Sequence, residues 1–167
     1  MSSMPFFLRS LYKKDAIRML EWMHNEQTMK YLQFDGAQKT LDDVYEFIEI
    51  AQKRDGVNLH LAITSKDDKY YGTVSLKNID KVKSEAEYAI SLHPQARGKG
   101  AAKQASKEIL RIAFQDLSLH RVYLNVIRDN QRAVQLYEKM GFRYLYSDMI
   151  TFKGKKNTEL CWYEIKQ

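Results

Sequence analysis

A short glycine-containing loop between a strand pattern and a helix pattern constrains the fold of this chain most. The chain has only seven glycines in 167 residues, and two of them, Gly98 and Gly100, lie in this loop beside Arg97 and Lys99. The apolar segment 88–92 before it is typical of a strand, and an amphipathic pattern of helical period follows it. A tight turn that opens a helix exposes unpaired backbone N–H groups at the positive end of the helix dipole. The loop therefore predicts an anion site, most often for a phosphate.

Length and charge favour an ordinary globular protein. Residues 1–167 fit a single domain whose core is large enough to fold without disulfides or metal. The net charge of +6 admits three interpretations, namely nucleic-acid binding, an acidic small ligand, or plain solubility. The basic residues are dispersed and form no stripe that alternates with aromatic residues, so a nucleic-acid partner is not expected.

The cysteine and histidine content bounds the compartment and the chemistry. Cys161 is the only cysteine, which excludes an internal disulfide and a thiolate metal cluster and fits a reducing cytoplasm. It lies in an apolar strand pattern, which favours a buried structural thiol over a nucleophile. The four histidines show no metal-binding pair spacing, so no metal is expected. The chain shows no signal-peptide pattern and no apolar run of about 20 residues, so we expect a soluble cytoplasmic protein without membrane contact.

Periodicity and capping signals predict an α+β fold. Thr40 with Asp43 is typical of a helix N-cap, Asn130 caps a later helix, and Gly141 suits the position after that helix ends. Helical patterns occupy residues 15–23, 40–53, 101–117 and 130–140. Strand patterns occupy residues 6–11, 60–64, 70–76, 85–92, 121–127, 142–152 and 158–165. The order of these elements predicts one α+β domain around a mixed sheet.

The known nucleotide-binding signatures do not fit the loop. A Walker loop needs serine or threonine after Gly-Lys, but Gly100 follows Lys99 here. The dinucleotide fingerprint needs a third glycine where Lys103 stands. Both nucleotide folds are therefore excluded as the origin of the loop.

Two motifs resemble those of the GNAT N-acetyltransferase superfamily. The sequence Arg-Gly-Lys-Gly-Ala-Ala at 97–102 matches Arg/Gln-x-x-Gly-x-Gly/Ala, the acyl-CoA loop of that superfamily. The segment 130–142, Asn-Gln-Arg-Ala-Val-Gln-Leu-Tyr-Glu-Lys-Met-Gly-Phe, resembles its Asn-x-x-Ala-x-x-Leu-Tyr-Glu-Lys-x-Gly-Phe motif. The two motifs occur in the expected order, separated by one helix and one strand, and the element order of the whole chain fits the resemblance.

The resemblance implies a mixed, mostly antiparallel sheet of about seven strands with about four helices. It further implies that strands 85–92 and 121–127 splay apart and that acetyl-CoA inserts between them. Arg97 and Lys99 would contribute charge, and Asn130 would contact the cofactor, although helix capping alone explains its presence. The backbone amides that would hold the pyrophosphate are those of Gly98, Lys99, Gly100, Ala101 and Ala102.

The same resemblance implies attack of a primary amine on the acetyl thioester. The backbone N–H of Leu92 would polarise the thioester carbonyl. Glu87 is the candidate base, and a carboxylate on a solvated strand face is the alternative interpretation. Tyr137 matches the residue described in the superfamily as the general acid for the departing CoA thiolate. Tyrosine has a pKa of about 10 and a thiol about 8.5, so the expected role is hydrogen bonding to the thiolate rather than proton transfer. A core tyrosine is the alternative.

The resemblance leaves the acceptor open. A protein N-terminus, an amino sugar or another small amine such as a polyamine remains compatible. The basic balance mildly disfavours a polycation, but the phosphates of the cofactor alone would account for the excess of positive charge. The alternative function is a non-catalytic acyl-CoA-binding or regulatory module of the same fold. A homodimer is compatible with the resemblance, but nothing in the sequence tests it.

Overall fold

The structure, a computed structural model, describes residues 4–167. That part of the chain contains five α-helices and seven strands. The elements are β1 (Phe7–Ser10), α1 (Ala16–Met23), α2 (Glu26–Met29), α3 (Leu41–Gln52), β2 (Leu59–Thr64), β3 (Tyr70–Asp80), β4 (Glu85–Leu92), α4 (Ala101–Arg111), β5 (Arg121–Ile127), α5 (Gln131–Lys139), β6 (Arg143–Phe152) and β7 (Lys155–Lys166). No helix in residues 4–167 is both long enough and apolar enough to cross a bilayer.

The seven strands form one mixed sheet in the order β1-β2-β3-β4-β5-β7-β6. Every neighbouring pair is antiparallel except β4 and β5, which are parallel and are joined by α4. A parallel pair needs a crossover connection of this kind because a hairpin cannot return the chain in the same direction. The predicted α+β class and the mixed, mostly antiparallel sheet are confirmed.

The helix count and several boundaries differ from the sequence prediction. The fifth helix is α2, a single turn that Asn25 starts by accepting the Thr28 backbone N–H at 2.9 Å. Beyond α4, a π-helical turn over Ile112–Asp116 carries the helical region to the predicted end near residue 117. Strand β3 is longer than predicted because pairing continues through the mostly half-buried residues 77–80. Strand β7 is longer because it begins in the polar, exposed residues 155–157, and hydrophobic periodicity gives no signal in either stretch.

Helices cover both faces of the sheet. On β2, Leu61 and Ile63 belong to the larger apolar cluster with α4 and α5, whereas Ala62 belongs to a second cluster with α1 and α3. Successive residues of a strand point to opposite faces, so the two clusters lie on opposite faces. We call these the α4/α5 face and the α1/α3 face. Cys161 is fully buried in the former, as the strand pattern predicted.

The parallel strands β4 and β5 separate soon after they meet. Only three residue pairs connect them, from Glu85 with Arg121 to Glu87 with Tyr123. Beyond these pairs β4 stays paired with β3 as far as Leu92, and β5 stays paired with β7 as far as Ile127. The sheet therefore opens in its centre, which confirms the predicted splay. We call this opening the central gap.

Candidate active site

The glycine loop turns sharply into α4. Gly98 has a φ of +72° and Gly100 a φ of +84°, and both values lie in the left-handed region that glycine adopts without steric cost. Gly100 is the N-cap of α4 and supplies no side-chain cap. The amides of Ala101 and Ala102, at the first helical positions, precede the first intrahelical donor, Gln104, which bonds to the Gly100 carbonyl at 3.2 Å. The loop therefore presents the donors that an anion would use.

A cleft of about 1230 Å³ runs from this loop through the central gap to the α1/α3 face. Its volume exceeds the usual range of about 300–1000 Å³ for a site that holds one small ligand. Of the residues that the sequence named for the site, all but Lys99 line this cleft: Glu87, Leu92, Arg97, Gly98, Gly100, Ala101, Ala102, Asn130 and Tyr137. The fold thus gathers residues from four separate elements around one opening.

Lys99 is the exception among the loop residues. Its backbone N–H donates to the Ala96 carbonyl at 3.3 Å, and its ammonium group lies 5.6 Å from the centre of the Tyr71 ring. Two other cations, Lys103 and Arg132, line the cleft instead. Sequence reasoning missed Arg132, because only the tertiary fold brings it near Lys103 of α4, with which it also lines a second pocket.

The direction of the Leu92 backbone follows from the sheet register. His93 donates its N–H to the Tyr71 carbonyl at 2.8 Å, so these two residues form a hydrogen-bonded antiparallel pair. The adjacent pair, Gly72 with Leu92, is then a non-hydrogen-bonded pair whose N–H and C=O groups point away from each other. Because β5 is the other neighbour of β4, the Leu92 N–H points into the central gap.

Gly72 allows this close register. A Cβ atom there would lie 2.6 Å from the Ser91 carbonyl oxygen and 3.2 Å from the Leu92 Cα. Since both contacts are to backbone, any larger residue would displace the end of β4. The sequence contained no signal for this role of Gly72.

Glu87 lies on the α1/α3 face at the point where β4 and β5 separate. Its neighbours Ala86 and Tyr88 are buried in the cluster of the opposite face. One carboxylate oxygen lies 3.6 Å from the Lys77 ammonium, and the other accepts a 3.3 Å hydrogen bond from the Asn78 side chain. The Glu87 side chain is 18% exposed, so it is accessible from the cleft.

Tyr137 lies on the α4/α5 face. Its ring meets the Tyr88 ring edge-on with 5.5 Å between centroids, and only 7% of the residue is exposed. Burial raises the pKa of Tyr137 to about 12, because the phenolate is disfavoured away from water. The Tyr88 hydroxyl pairs with Ser106 at 2.6 Å. Tyr137 is therefore a protonated hydrogen-bond donor at neutral pH.

Asn130 performs the capping role that the sequence predicted. Its side chain accepts the Ala133 backbone N–H at 3.4 Å, and Gly141, with a φ of +101°, follows the C-cap of the same helix. Because Asn130 also lines the cleft, the cap and a ligand contact are compatible. On this helix Val134 is buried in the core, which the sequence analysis did not single out.

The cleft contains further polar residues that were not predicted as site residues from the sequence. Gln33 donates to the Asn125 side chain at 3.0 Å and joins the segment after α2 to β5. His60 pairs with Ser75 at 2.6 Å, and burial, aided by Lys77, lowers its pKa. In residues 4–167 no cluster of three His, Cys, Asp or Glu side chains is arranged to hold a metal ion.

Sequence comparison finds acetyltransferase relatives. The sequence model of the acetyltransferase (GNAT) domain matches residues 6–143. The spermidine N(1)-acetyltransferase of Vibrio cholerae is 28% identical over 135 residues, which cover 81% of this chain and 77% of the relative. YdaF of Bacillus subtilis, named as a candidate ribosomal N-acetyltransferase, is 30% identical over 139 residues, which cover 81% of this chain and 76% of the relative.

Solved structures agree with the sequence comparison. Spermidine N-acetyltransferase from Vibrio cholerae, in complex with CoA and spermine, superposes with a TM-score of 0.88 at 25% sequence identity. The superposition covers 97% of this chain and 95% of that structure. The same overall fold therefore supports CoA binding in a protein of similar sequence.

Proposed function

This chain belongs to the GNAT acetyltransferase family, and on that premise we propose that it transfers the acetyl group of acetyl-CoA directly to a primary amine in a ternary complex. The proposal rests above all on one observation, namely that Glu87 and Tyr137 lie on opposite faces of the sheet at the two sides of the central gap. Bound acetyl-CoA would supply a thioester as the acyl donor. The residues of this chain would bind and orient acetyl-CoA and would accept or donate the protons of the reaction.

The glycine loop suits the diphosphate of the donor. The left-handed φ values of Gly98 and Gly100 bring the backbone of the loop close to the cleft, and the amides of Ala101 and Ala102 begin α4. Amides at a helix N-terminus bind phosphate oxygens, and the helix dipole favours their negative charge. Arg97, together with Lys103 and Arg132, supplies the positive side chains of this wall. Lys99 drops out of the proposed set because its side chain lies over Tyr71 and its amide is used in the turn.

The Leu92 N–H is the proposed donor to the thioester carbonyl. It points into the central gap, and a fixed donor aimed at a developing negative charge is typically the largest electrostatic contribution to acyl transfer. Gly72 would hold this donor in place, because β4 can approach β3 closely only opposite a glycine.

Glu87 is the proposed acceptor of the amine proton, directly or through water. An amine with a pKa near 10 is mostly protonated at neutral pH and must lose a proton before its nitrogen can attack. As the C–N bond forms, the nitrogen must lose a second proton to become an amide nitrogen, and this proton leaves through water on the Glu87 side. As the C–S bond breaks, the sulfur leaves as a thiolate toward Tyr137. The protons and the sulfur thus leave toward opposite faces of the sheet, on which Glu87 and Tyr137 lie.

Tyr137 is proposed to stabilise the leaving thiolate by hydrogen bonding. Its pKa of about 12 makes proton transfer to a thiolate with a pKa near 8.5 unfavourable. A hydrogen bond to the thiolate requires no transfer, and a hydrogen bond to a charged group contributes about 1.5–3 kcal/mol. The buried pair with Tyr88 fixes the ring in place for this role.

Thiol release from acetyl-CoA, measured across peptides, amino sugars and polyamines, tests the proposal. Tyr137→Phe should lower kcat by about 10- to 100-fold with little change in the Kd of acetyl-CoA. Tyr146→Phe, which removes a hydroxyl from an exposed residue outside the cleft, is the matched control. Acetyl-CoA binding without transfer to any amine would favour the non-catalytic alternative. Unchanged turnover in Tyr137→Phe would instead show that Tyr137 takes no part in the reaction.

A second variant addresses the base. Glu87→Gln should lower turnover mainly below the pKa of the acceptor amine, where a proton must be removed. The measurement is the pH dependence of kcat/KM for one acceptor. If that profile matches the unmodified protein, Glu87 does not take part in the proton transfer.

A further inference from the structure

The part of the cleft on the α1/α3 face carries more positive than negative side chains. We call it the acceptor half, because the donor loop lies at the other end of the cleft. The lysines, carboxylates and histidine that line it are Lys30, Lys39, Lys77, Asp43, Glu87 and His60. Three lysines therefore face two carboxylates, and the charge that each can offer a ligand depends on its existing partners.

Both carboxylates of the acceptor half already have partners. Asp43 accepts the Thr40 backbone N–H at 2.8 Å in the capping box of α3, and that bond lowers its pKa. Glu87 is held by Lys77 and Asn78, as described above. Of these two carboxylates, Glu87 already has a cationic partner, and Asp43 is tied to the N-terminus of α3.

Two of the three lysines, Lys30 and Lys39, have fewer charged partners. Within residues 4–167, neither Lys30 nor Lys39 has a carboxylate oxygen within 4.0 Å of its ammonium nitrogen. The Lys30 ammonium lies over the Tyr31 ring, 5.2 Å from its centre. The Lys153 ammonium reaches the carbonyl of Met29, next to Lys30, and so adds another positive charge at this rim.

From this distribution we infer that the acceptor is a primary amine that also carries an anionic group, a phosphate or a carboxylate, which Lys30 and Lys39 bind. The inference rests on the proposed function and deepens it. A polyamine, with several ammonium groups, would be repelled by these lysines, and of the two carboxylates that could attract it Glu87 is already paired with Lys77. The relatives named for spermidine therefore share the fold and the reaction, but this chain selects a different acceptor.

Matched acceptors test the inference. Glucosamine 6-phosphate and glucosamine differ by one phosphate, and the peptides Gly-Asp-Glu-amide and Gly-Gly-Gly-amide differ by two carboxylates. In each pair the anionic member should have the higher kcat/KM, by at least about fivefold, and its KM should rise with salt. Spermidine should be the poorest acceptor. A spermidine kcat/KM equal to or above that of both anionic acceptors would overturn the inference.

Charge variants locate the effect. The double variant Lys30→Gln with Lys39→Gln should lower kcat/KM for the preferred anionic acceptor by about tenfold. It should leave kcat/KM for the matched neutral acceptor unchanged. Lys66→Gln, an equal change in the exposed β2–β3 turn, is the control. The double variant Lys30→Glu with Lys39→Glu should raise kcat/KM for spermidine. An equal loss for the anionic and neutral acceptors would contradict the assigned role of the lysines.

Equilibrium binding separates this inference from the proposed function. Calorimetric titration of each acceptor pair into the CoA-saturated protein measures preference without turnover. Tighter binding of the anionic member supports the inference even if no amine is acetylated. Equal binding of both members, or tighter binding of spermidine, refutes it even if acetyl transfer is observed.

Discussion

Replacement of Gly100 by glutamate separates the role of the loop in binding from its role in folding. Gly100 has a φ of +84° at the N-cap of α4, where any L-residue is strained by about 1–2 kcal/mol. The new side chain would also place a carboxylate beside the amides of Ala101 and Ala102, where a bound diphosphate is proposed to lie. The variant should therefore lose both stability and acetyl-CoA affinity, for different reasons.

The expected loss of affinity is much larger than the expected loss of stability. A hydrogen bond to a charged group contributes about 1.5–3 kcal/mol, so two displaced amide contacts amount to about 3 kcal/mol or more. This corresponds to an increase in the Kd of acetyl-CoA of about 100-fold or more, before any repulsion between the carboxylate and the diphosphate. The backbone strain alone would change the free energy of unfolding by only about 1–2 kcal/mol.

Gly56→Glu is the matched control. Gly56 has a φ of +82°, and a Cβ atom there would meet nothing within 4 Å. The two variants should have similar denaturant midpoints, and only Gly100→Glu should lose acetyl-CoA binding by calorimetry. A Kd in Gly100→Glu within about threefold of that in Gly56→Glu would refute the assignment of the loop.

Two further changes test the supporting structure. Gly72→Ala should destabilise the protein by about 1–3 kcal/mol, because the added Cβ displaces β4 at Leu92. It should also lower kcat by a larger factor than it raises the Kd of acetyl-CoA. Denaturant unfolding measures the stability and thiol release measures kcat, and an unchanged kcat would argue against the Leu92 donor. Glu164, which accepts hydrogen bonds from Arg121 at 2.6 Å and Arg143 at 2.9 Å, has a lowered pKa. Its ionised form therefore stabilises the fold above the ordinary carboxyl pKa of about 4.3, and this contribution is lost as the pH falls through the lowered value. Glu164→Gln should cost about 1–2 kcal/mol in the free energy of unfolding at neutral pH, a difference that narrows in acid; a constant difference would show that the ion pair is not its source.

Much of the secondary structure could be predicted because its signals are local. The strands Glu85–Leu92 and Arg121–Ile127 agree with the prediction at both ends. The caps formed by Thr40 and Asn130 also agree, because a cap is a contact between residues only three positions apart. The one-turn helix α2 was missed because hydrophobic periodicity has no meaning over four residues.

The site could be predicted only as far as its motifs extend. Tyr137 and the loop residues other than Lys99 belong to sequence motifs and line the same cleft. Arg132 and Gly72 lie in no pattern that assigns them a role, because each acts through a neighbour that is distant in sequence. Lys99 belongs to the loop motif, yet its side chain turns to Tyr71 on β3. A motif specifies a backbone conformation more reliably than it specifies where a flexible side chain points.

The sequence by itself determined the local chemistry of this protein: a glycine turn that only left-handed backbone can form, the helix that follows it, and the alternation that places Glu87 on the other side of its strand from Tyr88. The tertiary structure alone decided that β4 and β5 part after three pairs and that Glu87 and Tyr137 lie on opposite sides of the opening. It also placed Lys30 and Lys39, which have no carboxylate partner within residues 4–167, in the acceptor half. The physical reason is range, since backbone conformation and capping depend on neighbours in the chain. The opening and its charge depend on contacts between elements that are far apart in the chain.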